Sequence, residues 1–490
     1  MKNYLTLLAV LFVGHSILAQ DNIFLDREFW STQPTVETLQ LKIKEGHDIA
    51  QANASNFDGV SQAILADAPL ETIKFALSQK GNDVNKITHD NRTYIFWAAN
   101  KGNVPLMQYL LEKGAKTNIT DNKGSTILNF AAGSGQKDTK VYDLLLKHGA
   151  NLQTDLTPAG ANALLLVAPY DTDFSLIDYF VSKGVDLNSV DRNGDGVFNY
   201  VAKTGNIDLM NQLLEKGYKG NDNAFIFASQ GTRGKSNGMD VYTYLEGIGL
   251  NPNVVSKDGV TPLHALGSRS KDMAVIHYFI DKGVNVNQAD ANGNTPFINA
   301  AARNSLEVVK LFAKTVKDIN QTNKKGESAL ALAVTNNSVD VVDFLLSQNA
   351  DVAVKDANGN DLSVYLMKTY AEDKDDLFNQ KLALLKNHGF VFGRPQSNGN
   401  TLYHLALDKN DLPTLKFIQQ FHPDVNAANK EGITPLHKAA MSAKDSDILK
   451  YLLSIGAKKE LATDFDETAY DLALENELLK NQNISVEFLK

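Results

Sequence analysis

No cysteine occurs in the 490 residues, which excludes disulfides, thiolate metal sites, a cysteine nucleophile and an amino-terminal lipidated cysteine. Positive charge is not in excess either. The net charge of -9 argues against general attraction to nucleic acid or anionic membranes. After the first twenty residues no apolar run approaches the roughly 20 residues that a membrane-spanning helix needs, so no span is expected. No glycine-rich phosphate loop stands between a strand and a helix, and the ten histidines show no metal-ligand spacing. Carboxylates are scattered through the chain rather than paired. Neither an enzyme nor a cofactor nor a metal site is expected.

What is present begins with an amino terminus unlike the rest. Lys2 precedes the apolar run Tyr4 to Val13, and Ser16-Ile17-Leu18-Ala19-Gln20 leads into the polar Asp21-Asn22. This reads as a signal peptide over 1–19, cut after Ala19. The mature chain is then expected to be periplasmic or secreted.

The remainder repeats itself. A helix-opening position recurs at Ser61, Thr93, Thr126, Asn162, Gly196, Asn223, Thr261, Thr295, Ser328, Asp361, Thr401, Thr434 and Thr468. The spacing is 33 or 34 in most copies, with departures to 27 before Asn223, 38 before Thr261 and 40 before Thr401. Each copy opens on an Asx/Gly turn, such as Asp290-Ala-Asn-Gly293. It then runs through a helix thinned by a small pair such as Ala300-Ala301, and ends on an apolar helix closed by a glycine such as Gly283. Thr or Ser caps the first helix, and Pro at its first position gives up no hydrogen bond because that donor was free.

The tetrapeptides Thr261-Pro262-Leu263-His264 and Thr434-Pro435-Leu436-His437 at this period resemble the ankyrin repeat. The resemblance spans nearly the whole mature chain. It implies an all-α solenoid of helix-turn-helix units with short β-turn fingers. The predicted organisation is a capping repeat over 20–56, an amino-terminal stack over 57–222 and a carboxy-terminal stack over 223–490 that ends in a closing cap. Length in such a stack counts repeats rather than domains, and a capped stack is expected to be monomeric. His264, His404 and His437 take the histidine position of the motif, for which the family implies a structural hydrogen bond. Asp191-Arg-Asn-Gly-Asp-Gly196 opens like a calcium loop, but the twelfth position, a bidentate Glu in that motif, is Ala202. The same Asx/Gly turn recurs at Asp290 and Asp356, so a finger is the better reading.

The resemblance also says where a partner would sit: on the turn tips and on the residues after the small pair. Carried over position by position, these are Lys101, Tyr170, Lys203, Arg269, Arg303 and Lys368 on the helices, and Lys123, Arg192, Lys257 and Lys324 on the tips. The two columns are basic on an acidic chain. A non-catalytic scaffold that docks an acidic protein surface is the expectation. Two alternatives are kept: recognition of an envelope polymer by Trp97, Tyr170 and Phe465, and protective inhibition of a hydrolase in the same compartment. A further column, Trp97, Phe130, Leu166, Tyr200, Phe227 and Tyr365, is expected to pack between helices.

Overall fold

The computed structural model describes residues 22–232, 235–371 and 375–490. The signal-peptide reading over 1–19 therefore lies outside the described residues. Among them every regular element is an α- or 3₁₀-helix. The fingers carry only isolated bridges such as Thr120 to Thr126 and Thr322 to Ser328.

One repeat shows why the chain folds this way. The carboxylate of Asp290 accepts the N–H groups of Asn292 and Asn294 at 2.8 and 2.9 Å, which bends the finger tip. Thr295 stays extended, and its hydroxyl accepts from the Ile298 N–H at 3.1 Å, capping the inner helix Pro296–Arg303. Ala300 and Ala301 are fully buried where the next inner helix approaches. Gly267 holds the matching place one repeat earlier, where an added Cβ would lie 2.8 Å from the Pro296 carbonyl. The outer helix Leu306–Ala313 then buries Val308, Val309 and Phe312, each contributing about 1.5–3 kcal/mol relative to exposure.

Three polar devices join one repeat to the next. Finger backbones bond directly, Lys324 N–H to Asn292 O at 2.8 Å and Ala357 N–H to Lys325 O at 2.7 Å. Gly326, at φ +75, permits this approach, because a Cβ there would lie 2.6 Å from Ala357 N. After several inner helices a side-chain amide hooks the end of the preceding one. Asn304 donates to Gly267 O and Ser270 O at 2.7 and 2.9 Å, and Asn337 and Asn476 repeat the contact. The motif histidine supplies the third: His264 Nδ1 meets the Thr261 N–H at 2.9 Å while Nε2 reaches Asn294 O at 3.2 Å. His404 and His437 do the same toward Ile433 O and Leu461 O.

The chain divides into two compact units. One runs to Val201 and includes Asp208–Gly220; the other comprises Ala202–Ile207 and Asn221–Lys490. The first opens on the helices Arg27–Ser31 and Val36–Lys44, where the buried Trp30 donates to Phe24 O at 2.8 Å. In its first full repeat the helix-opening residue differs from the expectation. Asp58, not Ser61, is the cap of Gly59–Leu65, and Ser61 closes the capping box from the third helical position. In the second unit the 40-residue spacing is taken up partly by a longer outer helix, Asp375–Asn387. Residues 372–374 of that spacing, Glu-Asp-Lys, lie outside the described residues, as do Arg233 and Gly234 in the 38-residue spacing before Thr261.

Candidate functional site

The positions named from the sequence fall into two kinds once their neighbours are known. On the first unit, the Lys101 ammonium lies 2.5 Å from Asp67 and that of Lys123 lies 2.6 Å from Asp90. Tyr170 is half-buried, its ring against Gly135 and its hydroxyl donating to Gly133 O at 3.0 Å. These three are engaged within the fold. Arg192 is exposed at its finger, where its N–H donates to Ala159 O at 2.9 Å.

The second unit is different. Arg269 and Arg303 close the last turns of successive inner helices, Pro262–Arg269 and Pro296–Arg303. Cations there are favoured by the free helix carbonyls. Both side chains are exposed, and neither has a carboxylate within ion-pair distance among the described residues. Lys203 is half-buried nearby. Burial, and then the positive charge of Arg269, hold its ammonium below the ordinary lysine range. Lys257 and Lys324 stand exposed on finger tips, while Lys368 lies over the Tyr365 ring at 5.0 Å. The charge of Arg269 thus acts on Lys203, Arg303 stands one repeat on from Arg269, and Lys101 and Lys123 are set against acids.

Rings in the other column pack as expected, but they also bond the fingers. Tyr200 donates to Asp191 Oδ2 at 3.0 Å, Tyr365 to Asp356 Oδ2 at 3.1 Å and Trp97 to Thr88 Oγ1 at 2.8 Å. Each donor follows its acceptor by nine residues. That spacing was visible in the sequence and could have revealed the pairing. Asp191 Oδ1 meanwhile accepts from Asn193 and Asp195, so both its oxygens serve the finger. Among the described residues no three His, Asp or Glu side chains gather as a metal site, and no helix is long and apolar enough to cross a membrane.

Arg92 is the residue that sequence reasoning missed. It is 7% exposed, yet its guanidinium takes Asp121 Oδ2 through Nε and Nη2 at 3.0 and 2.7 Å and Asp90 through Nη1 at 3.2 Å. It lies 4.1 Å above the Phe130 ring. Gly234 to Gly238 spells Gly-x-Ser-x-Gly, but no strand precedes it and the exposed Ser236 has no histidine partner among the described residues.

Family comparison agrees with this geometry. Family models described as ankyrin repeats match residues 60–155, 228–323, 266–356 and 402–453, together more than half of the sequence. The chain belongs to the ankyrin repeat family. Among its relatives, an ankyrin repeat protein of Fowlpox virus is 26% identical over 195 residues, 38% of this chain and 95% of that protein. The palmitoyltransferase AKR1 of Lachancea kluyveri is 26% identical over 149 residues, and an L-asparaginase of Dirofilaria immitis 25% over 176. The match covers 30% and 36% of this chain but only 20% and 29% of those two proteins. Ankyrin repeats of this kind form protein-interaction scaffolds and are typically non-catalytic, and a protein partner follows from the family.

Proposed function

We propose that this ankyrin-repeat chain is an exported scaffold whose second unit docks an acidic surface of a partner protein through Lys203, Arg269 and Arg303, with Lys257 and Lys324 on the adjoining tips. The observation that carries this is that Arg269 and Arg303 stand exposed at the ends of successive inner helices with no carboxylate within ion-pair distance among the described residues, while the charge of Arg269 also acts on Lys203. Like charges kept together cost free energy that an anionic partner would recover. Lys101 and Lys123, already neutralised, contribute less. Export rests on the Lys2 to Ala19 pattern and places the partner in the periplasm or outside the cell. Polymer recognition is the weaker reading, because Trp97 is 5% exposed and Tyr170 is tied to Gly133, leaving Phe465, 81% exposed on its finger, as the one free ring of the three.

Affinity capture from an envelope extract tests this, using the chain from Gln20 and the same chain carrying Arg269→Glu and Arg303→Glu. A protein retained by the first bait and lost with the second is expected. Equal retention by both would contradict the assignment of the face.

A further inference from the structure

On the outer helices, away from the inner-helix face, one side-chain arrangement recurs. In the helix Ser175–Ser182 the Tyr179 hydroxyl donates to Asp143 Oδ1 at 2.9 Å, and Lys183 Nζ reaches the same oxygen at 2.7 Å. Lys183 also lies 5.3 Å from the Tyr179 ring centre. In the helix Met273–Asp281 the Tyr278 hydroxyl donates to Glu246 Oε2 at 2.9 Å, Lys282 pairs with the same carboxylate, and its ammonium lies 5.5 Å from the Tyr278 ring. In both, a tyrosine and the lysine four residues later close on a carboxylate from the preceding outer helix. Position i+4 places the two on one face one turn apart.

The same pair stands at Tyr109 and Lys113, with the ammonium 5.6 Å from the ring. Here the preceding outer helix, Leu70–Leu77, has no acid at the place of Asp143, and its one acid, Glu71, is paired within the helix. Its buried Thr72, Ile73 and Ala76 match Val141, Tyr142 and Leu145 of Thr139–Lys147, so Lys74 occupies the place of Asp143. Lys74 bonds Glu71 at 2.9 Å and lies 5.2 Å from the Tyr109 ring. Among the described residues the Tyr109 hydroxyl has no hydrogen-bond partner and Lys113 has no ion pair. Lys310 over Phe344 shows a lysine on a neighbouring ring without such a pair, since Phe344 has no hydroxyl and Gln348 follows it by four.

Beside Tyr109 and Lys113 opens a cavity of about 350 Å³ walled by Leu77, Val84 and Leu110, with Asp83 also in its lining. Asp83 Oδ1 accepts from the Asn85 N–H at 2.8 Å. The volume is within the range of small-ligand sites, and the apolar wall suits a methylene stem.

We infer that Tyr109 and Lys113 form an unfilled carboxylate clamp, which takes a carboxylate on a short aliphatic stem where Asp143 and Glu246 fill the equivalent clamps from within the chain. The stem can belong to a glutamate of a partner polypeptide or to a free small acid. This site is separate from the basic inner-helix face, and either can fail alone.

The test uses the full chain labelled with 3-fluorotyrosine, its Tyr109 fluorine resonance assigned by Tyr109→Phe. N-acetyl-glutamate methylamide and butyrate are the two probes. A saturable shift of that resonance is expected, with affinity weakened at least about tenfold in Lys113→Met. Response to butyrate alone assigns a free acid; response to the amide assigns a peptide-borne glutamate. Lys74→Asp restores the internal acid and is expected to move the Tyr109 resonance without ligand and abolish the response to either probe. No saturable shift, or an unchanged titration in Lys113→Met with the other tyrosine resonances in place, would overturn the clamp.

Discussion

Lys381 places its ammonium 2.7 Å from the carbonyl oxygen of Val334, at the end of the inner helix Ala329–Asn336. It is 1% exposed and has no carboxylate partner among the described residues. In neighbouring repeats asparagines serve such carbonyls; in this one the long outer helix sends in a lysine. Burial pushes its pKa down to about 8. Below that value the ammonium is charged in both folded and unfolded chains, and the burial penalty is fully present. Between about 8 and the ordinary lysine value of about 10.4 the unfolded chain binds more protons, so stability should rise with pH. Thermal melts from pH 7.5 to 9.5 should show this gain, on the order of 1 kcal/mol or more, and Lys381→Met should remove the slope. A slope retained in Lys381→Met would contradict the assignment.

His264 and His404 give a response of the same sign in a lower pH window. Burial lowers the pKa of each imidazole, so the folded chain resists protonation that the unfolded chain accepts near pH 6.5. Stability is therefore full above about 6.5 and declines as pH falls toward the folded values. Melts between pH 7.5 and 5 should show the decline. His264→Ala should lower stability by about 2–3 kcal/mol through the lost cap and the lost bond to Asn294, and should flatten the acid dependence.

The fold was legible because each repeat states its own structure. Thr295 before Pro296, the small pair Ala300-Ala301 and a left-handed Gly283 specify cap, helix and stop without reference to distant residues. Partnerships across repeats were not legible. In the sequence Lys101 and Lys123 have no evident partner, because separations of 34 and 33 residues from Asp67 and Asp90 give no side-chain direction. Ser61 reads as a helix-opening residue although Asp58 holds that place, because either type can begin a helix and only the backbone shows which stays outside it. Lys381 was hidden because a lysine on an outer helix ordinarily faces water.

Asn304 holds Gly267 and Ser270 from the following repeat. Asn304→Ala should leave those buried carbonyls without their donor and cost about 1–3 kcal/mol. Hydrogen exchange should speed first in the helices Pro262–Arg269 and Pro296–Arg303. Unchanged protection there would argue against the hook.

Arg92 should be among the most sensitive positions of the first unit. Arg92→Met keeps much of the contact with Phe130 but strands the Asp121 carboxylate, and a loss of about 3–5 kcal/mol is expected. Limited proteolysis should cut the first unit while sparing the second. Asp90 adds an acid dependence: its hydrogen bond from Lys123, aided by the charge of Arg92, holds its pKa below the usual range. That contribution is present above about pH 4 and lost as pH falls further.

The most direct measurement of the basic face is the dissociation constant of the captured partner, taken at low and high salt for the unaltered chain and for Arg269→Glu with Arg303→Glu. The unaltered chain should weaken with salt, and the double variant should bind at least about tenfold more weakly at low salt and lose most of the salt dependence. Equal constants for the two chains at both salt concentrations would contradict a docking role for Lys203, Arg269 and Arg303.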